Sequence, residues 1–268
     1  MVYKKFKCSA IHNLIITKVN DKEDMNEGIL IPTQILTKTN LFNGQEVIIT
    51  KIGAGNWKNR IKTFIIENKE NNDVEIRGSL THFLEKGDLT CLIAECYMDE
   101  KTFEEYKSDE YAIFDLGFDP KNNKDNTVST LDLQYYSHKE KNVLENSQLF
   151  NEQVLKREKL LKVFAQSIII GLQVNNTHPD CLQGSAELPR SIMEKAGLYE
   201  YKSVSVYNSS LGGVADTYSV PMPEGVVMTT GAMASFAKIG DIVNVVGFVL
   251  SEKTIEQNIV FTKENSIC

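Results

Sequence analysis

The sequence predicts a mainly β chain made of two tandem copies of one small barrel, and three observations carry that expectation. The chain repeats itself: Gly87-Asp88-Leu89 matches Gly240-Asp241-Ile242, and Arg77-Gly78-Ser79 matches Thr230-Gly231-Ala232, both at an offset of 153 residues. Thr63-Phe64 matches Thr217-Tyr218 at 154, and Gly28 matches Gly184 at 156. Offsets that drift at loops while strand-like segments stay in step mark a duplication with loop insertions and deletions. Short runs rich in β-branched residues dominate, helical periodicity is scarce, and glycines punctuate the runs, as in small closed barrels.

In the first copy, Ile11–Val19, Glu46–Lys51, Lys62–Glu67 and Asp88–Ala94 read as strands. Pro32–Leu36, followed by Leu41, reads as a turn or two of helix with proline at an early position. The second copy has Val163–Val174, Lys202–Asn208, Asp216–Val220, Gly225–Thr229 and Asp241–Leu250 as strands. Pro189–Gly197 reads as a short helix, opened by proline and closed by glycine. The expected division is a first barrel over 1–118, a connector over 119–160 and a second barrel over 161–268. Within the connector, Pro120–Asn126 is a loop or boundary, and apolar residues near a helical period over Asn146–Leu161 suggest a helix lying on a barrel. A solvated tether is the alternative.

Composition narrows the function. Net charge is −7 and no basic run exceeds Lys4-Lys5, which argues against a nucleic-acid surface. The N-terminal stretch is too polar for a signal peptide, and the apolar run Ile168–Val174 is too short to span a bilayer, so no membrane association is expected. Five cysteines, at 8, 91, 96, 181 and 268, lack paired metal spacing, and their odd number fits poorly with a disulfide framework. Reduced thiols in a cytoplasmic setting, with no metal, are expected.

The stretch Asp180–Pro189 contains Gly184-Ser185, followed by Asp216-Thr217-Tyr218, then Thr230-Gly231-Ala232-Met233-Ala234 and Gly240-Asp241-Ile242-Val243. A lone Gly–Ser pair is usually a turn. In this order and spacing the motifs resemble the aspartate 1-decarboxylase family, well over 165–250 and as a degenerate copy over 8–115. The resemblance implies a double-psi β-barrel. It also implies that the Gly184–Ser185 bond cleaves itself, leaving a covalently bound pyruvoyl group derived from Ser185. Glycine before the serine would admit a bent backbone that brings the hydroxyl onto the carbonyl. A ketone in amide linkage takes up an amino acid as a Schiff base and accepts the electrons released when carbon dioxide leaves.

The resemblance further implies roles for neighbours. Thr217 assists processing through the Gly184 carbonyl, Tyr218 is the general acid, and Gly231 and Ala232 bring backbone close to the cofactor. The first copy has lost this chemistry: Ile29 stands at the serine's place and Phe64 at the tyrosine's. It keeps Arg60, three residues before Thr63, matching a family arginine that grips a substrate carboxylate; the second copy has Val214 there. It also keeps the family's early histidine, His12, where the second copy has Ile170. Family sites lie between adjacent subunits of a tetramer. A homodimer of tandem chains, the second copy giving the pyruvoyl and acid and the first the carboxylate clamp, is therefore expected. The chain departs from the family at Ala10 and Ile168 (lysine), Leu182 (tyrosine), Thr230 (asparagine) and Tyr207 (tryptophan). Three readings stay open: a decarboxylase of aspartate or a related amino acid, with or without a maturation factor; one acting on an amino acid without a β-carboxylate; and an unprocessed regulatory or scaffold subunit.

Overall fold

The computed structural model describes residues 2–20, 26–53, 60–101, 112–118, 124, 126, 131–137 and 160–268. The described part of each copy follows one pairing plan. In the first, the long strand β1 (Tyr3–Ile15) runs antiparallel to β7 (Leu89–Asp99) and parallel to β8 (Ala112–Phe118). Strand β3 (Gly28–Pro32) lies between β5 (Arg60–Asn68), to which it is parallel, and β6 (Glu75–Arg77), to which it is antiparallel. β2 (Lys18–Val19) is parallel to β6, and β4 (Glu46–Lys51) joins β5 to β7.

The second copy repeats the plan. β10 (Leu161–Gln173) pairs with β16 (Ile242–Ser251) and with β17 (Asn258–Lys263). β12 (Ala186–Pro189) lies between β14 (Val214–Met222) and β15 (Met228–Thr230), β11 (Asn176–His178) is parallel to β15, and β13 (Ser203–Asn208) joins β14 to β16. These crossed parallel pairs are the double-psi β-barrel that was expected, built twice.

Local sequence sets the helices. α1 (Thr33–Thr39) and α2 (Arg190–Ala196) each start after a proline and end on a left-handed residue, Asn40 at φ 51° and Gly197 at φ 70°. Both bury one apolar stripe, which for α2 is Ile192, Met193 and Ala196. A third helix, α3 (Met233–Phe236), is a single turn.

Each barrel is also clipped by one asparagine. Asn126 accepts from Ile15 N at 2.8 Å and donates to Ile15 O at 2.7 Å; Asn265 does the same to Gln173, both bonds at 2.8 Å. Asn126 and Asn265 share a left-handed backbone, φ 56° and 58°. The first copy's terminal hairpin, β8 with β9 (Leu131–Ser137), thus corresponds to β17 with β18 (Ser266–Ile267). Part of the stretch read as connector is therefore sheet. The helix expected over Asn146–Leu161 lies outside the described residues except Leu160 and Leu161, the latter opening β10.

One expectation about cysteine is corrected: Cys8 and Cys96 form a disulfide, with Cα atoms 5.9 Å apart. β1 and β7 are antiparallel neighbours, and a bulge at Lys7–Ser9 turns Cys8 toward the partner strand. Among the described residues Cys91, Cys181 and Cys268 are free.

Besides a core in each barrel, a third apolar cluster joins them: Phe64, Ala165, Ile168, Ile170, Tyr207 and Val246. The Phe64 and Tyr207 rings meet edge-on at 6.5 Å, geometry worth about 1 kcal/mol beyond area burial. The sheets merge where Lys162 pairs with Cys96. The turn at Phe42–Gln45 docks on β10, with Ala165 N donating to Gly44 O at 2.8 Å and Lys162 over the Phe42 ring.

Candidate active site

Ser185 sits at the mouth of β12, its position fixed by strands on both sides. Its carbonyl accepts from Thr230 N at 3.1 Å, and the next residue, Ala186, is in register with Thr229 and Ser219. The Thr217 hydroxyl, on the inward face of β14, donates to the Gly184 carbonyl at 2.7 Å. Ser185 and Thr217 are each 7% exposed, so this contact is largely shielded from water. Thr230 Oγ1 accepts from Ser185 N at 3.0 Å, lies 2.7 Å from Ser185 Oγ, and donates to Gln183 O at 2.9 Å. Glu187 Oε1 is 3.3 Å from Ser185 Oγ.

The glycines divide the work differently from the expectation. Gly184 is not in the left-handed region, and a Cβ built on it would meet nothing closer than 3.6 Å. The left-handed turn is at Gly231, φ 52°, where a Cβ would fall 2.7 Å from Gln183 O and 2.8 Å from Cys181 O. Gly231 is thus the residue that lets the backbone close on the Gly184–Ser185 bond, with Ala232 beside it. Tyr218 follows Thr217 but points to the opposite face of the strand and is 56% exposed.

Arg60 and His12 lie in the first barrel. The Arg60 guanidinium, more than half exposed, faces Glu95 at 3.9 Å, and His12 Nδ1 lies 3.4 Å from Cys91 Sγ. Neither is brought onto Gly184–Ser185 of the same chain. The internal junction makes the reverse pairing: Glu27, in the first copy, receives Asn244 Nδ2 from the second at 3.4 Å. Asn244 is opposite Tyr207 in its ladder, as Cys91 is opposite Thr50, so the two are equivalent.

Strand register also corrects the assignment of the first copy. Ile29 pairs with Ile65 and Ile76, as Ala186 pairs with Ser219 and Thr229. Gly28, not Ile29, therefore occupies the station of Ser185, and Glu27 that of Gly184. Matching glycine to glycine had slipped the alignment by one residue. The station still has no hydroxyl. Thr63, counterpart of Thr217, has a buried hydroxyl with no partner among the described residues.

Glu27 is fully buried and takes bonds from Ser79 N at 3.1 Å and Ser79 Oγ at 2.9 Å. Burial pushes its carboxyl up to about 7, outweighing the stabilising bonds from Ser79. A raised folded pKa means the stability contribution is complete below the unfolded value near 4.5 and is lost as pH rises through about 7. The difference is about 3 kcal/mol at most. Thermal melts should accordingly show wild-type stability falling from pH 5 to pH 8, and a shallower fall for Glu27→Gln. Equal slopes would remove Glu27 from the pH response.

Two side chains that matter here were missed in the sequence: Thr230, noted only as a departure, and Glu27. The signal for Thr230 was its place directly before the Gly231 turn. A cleft of about 720 Å³ in the first barrel, lined by Ile15, Thr17, Pro32, Asp73, Lys86 and Asn126 among others, includes none of these residues. Among the described residues no His/Cys/Asp/Glu group could hold a metal, and no helix is long and apolar enough to cross a membrane.

The aspartate decarboxylase family profile matches residues 1–115 and 162–267. An aspartate 1-decarboxylase of Pyrobaculum islandicum is 38% identical over 66 residues, 25% of this chain and 55% of that protein. One from Campylobacter jejuni subsp. doylei is 32% identical over 88 residues, covering 31% and 70%. One from Methylococcus capsulatus is 30% identical over 90 residues, covering 31% and 71%. Over the Pyrobaculum protein, then, the match spans about half the relative's length.

Proposed function

This chain belongs to the aspartate decarboxylase family, and from that premise we propose a self-processing, pyruvoyl-dependent α-decarboxylase of aspartate or a related amino acid. The observation that carries the reading is the Thr217 hydroxyl on the Gly184 carbonyl at 2.7 Å, next to a buried Ser185 hydroxyl. These residues fit a pyruvoyl group formed from Ser185. Thr217 holds the carbonyl oxygen that becomes negative as Ser185 Oγ attacks. Once formed, the group supplies a ketone that takes up the substrate amine and accepts the electrons left by carbon dioxide. Tyr218 then delivers a proton to substrate carbon, and Arg60 and His12 hold the substrate carboxylate.

The internal junction supports a homodimer of tandem chains. It buries the first copy's turn at Phe42–Gln45 on β10 of the second. The corresponding turn of the second copy, Tyr199–Lys202, is uncovered at its tip, with Tyr199 and Tyr201 each 66% exposed and only Lys202 buried. The matching acceptor, the start of β1 at Lys4–Lys7, is part-exposed, where Lys162 of β10 is buried. An exposed turn and a part-exposed strand start on each chain fit a second copy of this chain, closing a ring of four barrels. By the register above, Cys91 and His12 of that copy would then face Gly184–Ser185. The Cys8–Cys96 disulfide does not favour the cytoplasmic setting expected from the cysteine count, since such bonds are rare in reducing compartments.

Intact-mass measurement tests the reading. Mature protein should give fragments of residues 1–184 and 185–268, the second with a blocked N-terminus reactive toward hydrazines; Ser185→Ala should give neither. Cleavage only after incubation with cell extract would point to a maturation factor. A chain that stays whole and hydrazine-inert under both conditions would favour the regulatory-subunit reading, to which Ala10 and Ile168 at the family lysine's position lend weight.

A further inference from the structure

We propose that Thr230 is the proton shuttle for cleavage of the Gly184–Ser185 bond, taking the proton of the Ser185 hydroxyl and returning one to the Ser185 nitrogen. The proposal rests on the processing reading above and adds to it a residue that stands where the resembling family has asparagine. Cleavage begins with a bond from Ser185 Oγ to the Gly184 carbonyl carbon and proceeds by breaking the bond from that carbon to Ser185 N. The nucleophile must lose a proton and the leaving nitrogen must gain one. A group that serves both has to reach both atoms.

Thr230 Oγ1 does: it lies 2.7 Å from Ser185 Oγ and 3.0 Å from Ser185 N. Its oxygen accepts the serine proton and its own proton passes to the nitrogen, so the shuttle is unchanged after the step and no co-reactant is consumed. Two further bonds hold it in place. Gln183 O accepts the Thr230 hydroxyl at 2.9 Å in the resting state, and Thr230 N donates to Ser185 O at 3.1 Å. Thr230 is 1% exposed, which leaves little room for water to do the same job. Thr217, on the carbonyl oxygen, has a separate task. Glu187 is the competing base, but its oxygen is 3.3 Å from the serine hydroxyl and has no bond to the nitrogen.

The test follows cleavage by intact mass in freshly translated chains of wild type, Thr230→Val, Thr230→Ser and Glu187→Gln, with thermal melts as a check on folding. Thr230→Val, of similar shape but without a hydroxyl, should slow cleavage by roughly 10²-fold or more. Thr230→Ser should recover to within about tenfold, and Glu187→Gln should cleave like wild type. Cleavage of wild type should also slow in deuterated water, and Thr230→Val should change the size of that isotope effect, a readout that a merely structural Thr230 would not move. An isotope effect that is the same in Thr230→Val as in wild type, or Thr230→Val cleaving at the wild-type rate, overturns the shuttle while leaving processing intact. Loss of cleavage in Glu187→Gln alone transfers the role to Glu187. A wild-type chain that never cleaves defeats the processing reading itself.

Discussion

Two inactive variants, Arg60→Met and Ser185→Ala, should regain activity when their chains are mixed and allowed to reassemble. Ser185→Ala can form no cofactor. Arg60→Met should cleave normally but lose about 10²-fold or more in kcat/KM, because a substrate carboxylate would be buried without its partner. In a mixed dimer, one junction combines Ser185 from the first variant with Arg60 from the second. At equal mixing and full exchange, about a quarter of all junctions should be competent. The structure gives the reason to look between chains: within one chain the junction sets Glu27 against Asn244, and Arg60 faces Glu95 and not Ser185. Decarboxylation assays before and after co-refolding measure the gain. No recovery would mean that each site belongs to one chain, and full activity in Arg60→Met alone would remove the first copy from the reaction.

Tyr218→Phe should lower turnover by roughly 10²–10⁴-fold while leaving cleavage at Ser185 unchanged. Thr217 faces inward to the Gly184–Ser185 bond and Tyr218 faces outward, so substitutions at these adjacent residues should separate maturation from turnover. The counterpart Phe64 is 2% exposed, sealed by Tyr207 of the other copy. Tyr218 should be sealed likewise when a second chain closes over it, giving a phenol shielded from water. Carbon dioxide release in single-turnover assays, set beside intact mass, checks both halves. An unaltered kcat would reassign the acid.

Much of the barrel was legible because its signals are local. Pro189 and Gly197 bracket α2 by their own backbone preferences, and Glu46–Lys51 reads as a strand from its β-branched residues. The four- and five-residue strands β12 and β3 were not, since each is too short to show a period and runs directly into a helix. The disulfide depends on two strands meeting 88 residues apart. In the candidate site, Thr217 and Gly184 came from motif order, but the contacts of Thr230 depend on β12 lying against β15. The Glu27 station was misread because glycine identity outweighed ladder register, which only the fold supplies.

Glu27 makes the decline of the first barrel a one-way passage. A serine regained at position 28 would follow a buried acid instead of glycine, and that acid already claims the amide and hydroxyl of Ser79. At the station of Thr230 it would meet Arg77, which is tied to Glu75 at 2.7 Å. Each backward step taken alone restores nothing on which selection could act. The duplicated chain is thus committed to unequal halves, and in the proposed dimer that inequality would make each chain depend on its neighbour.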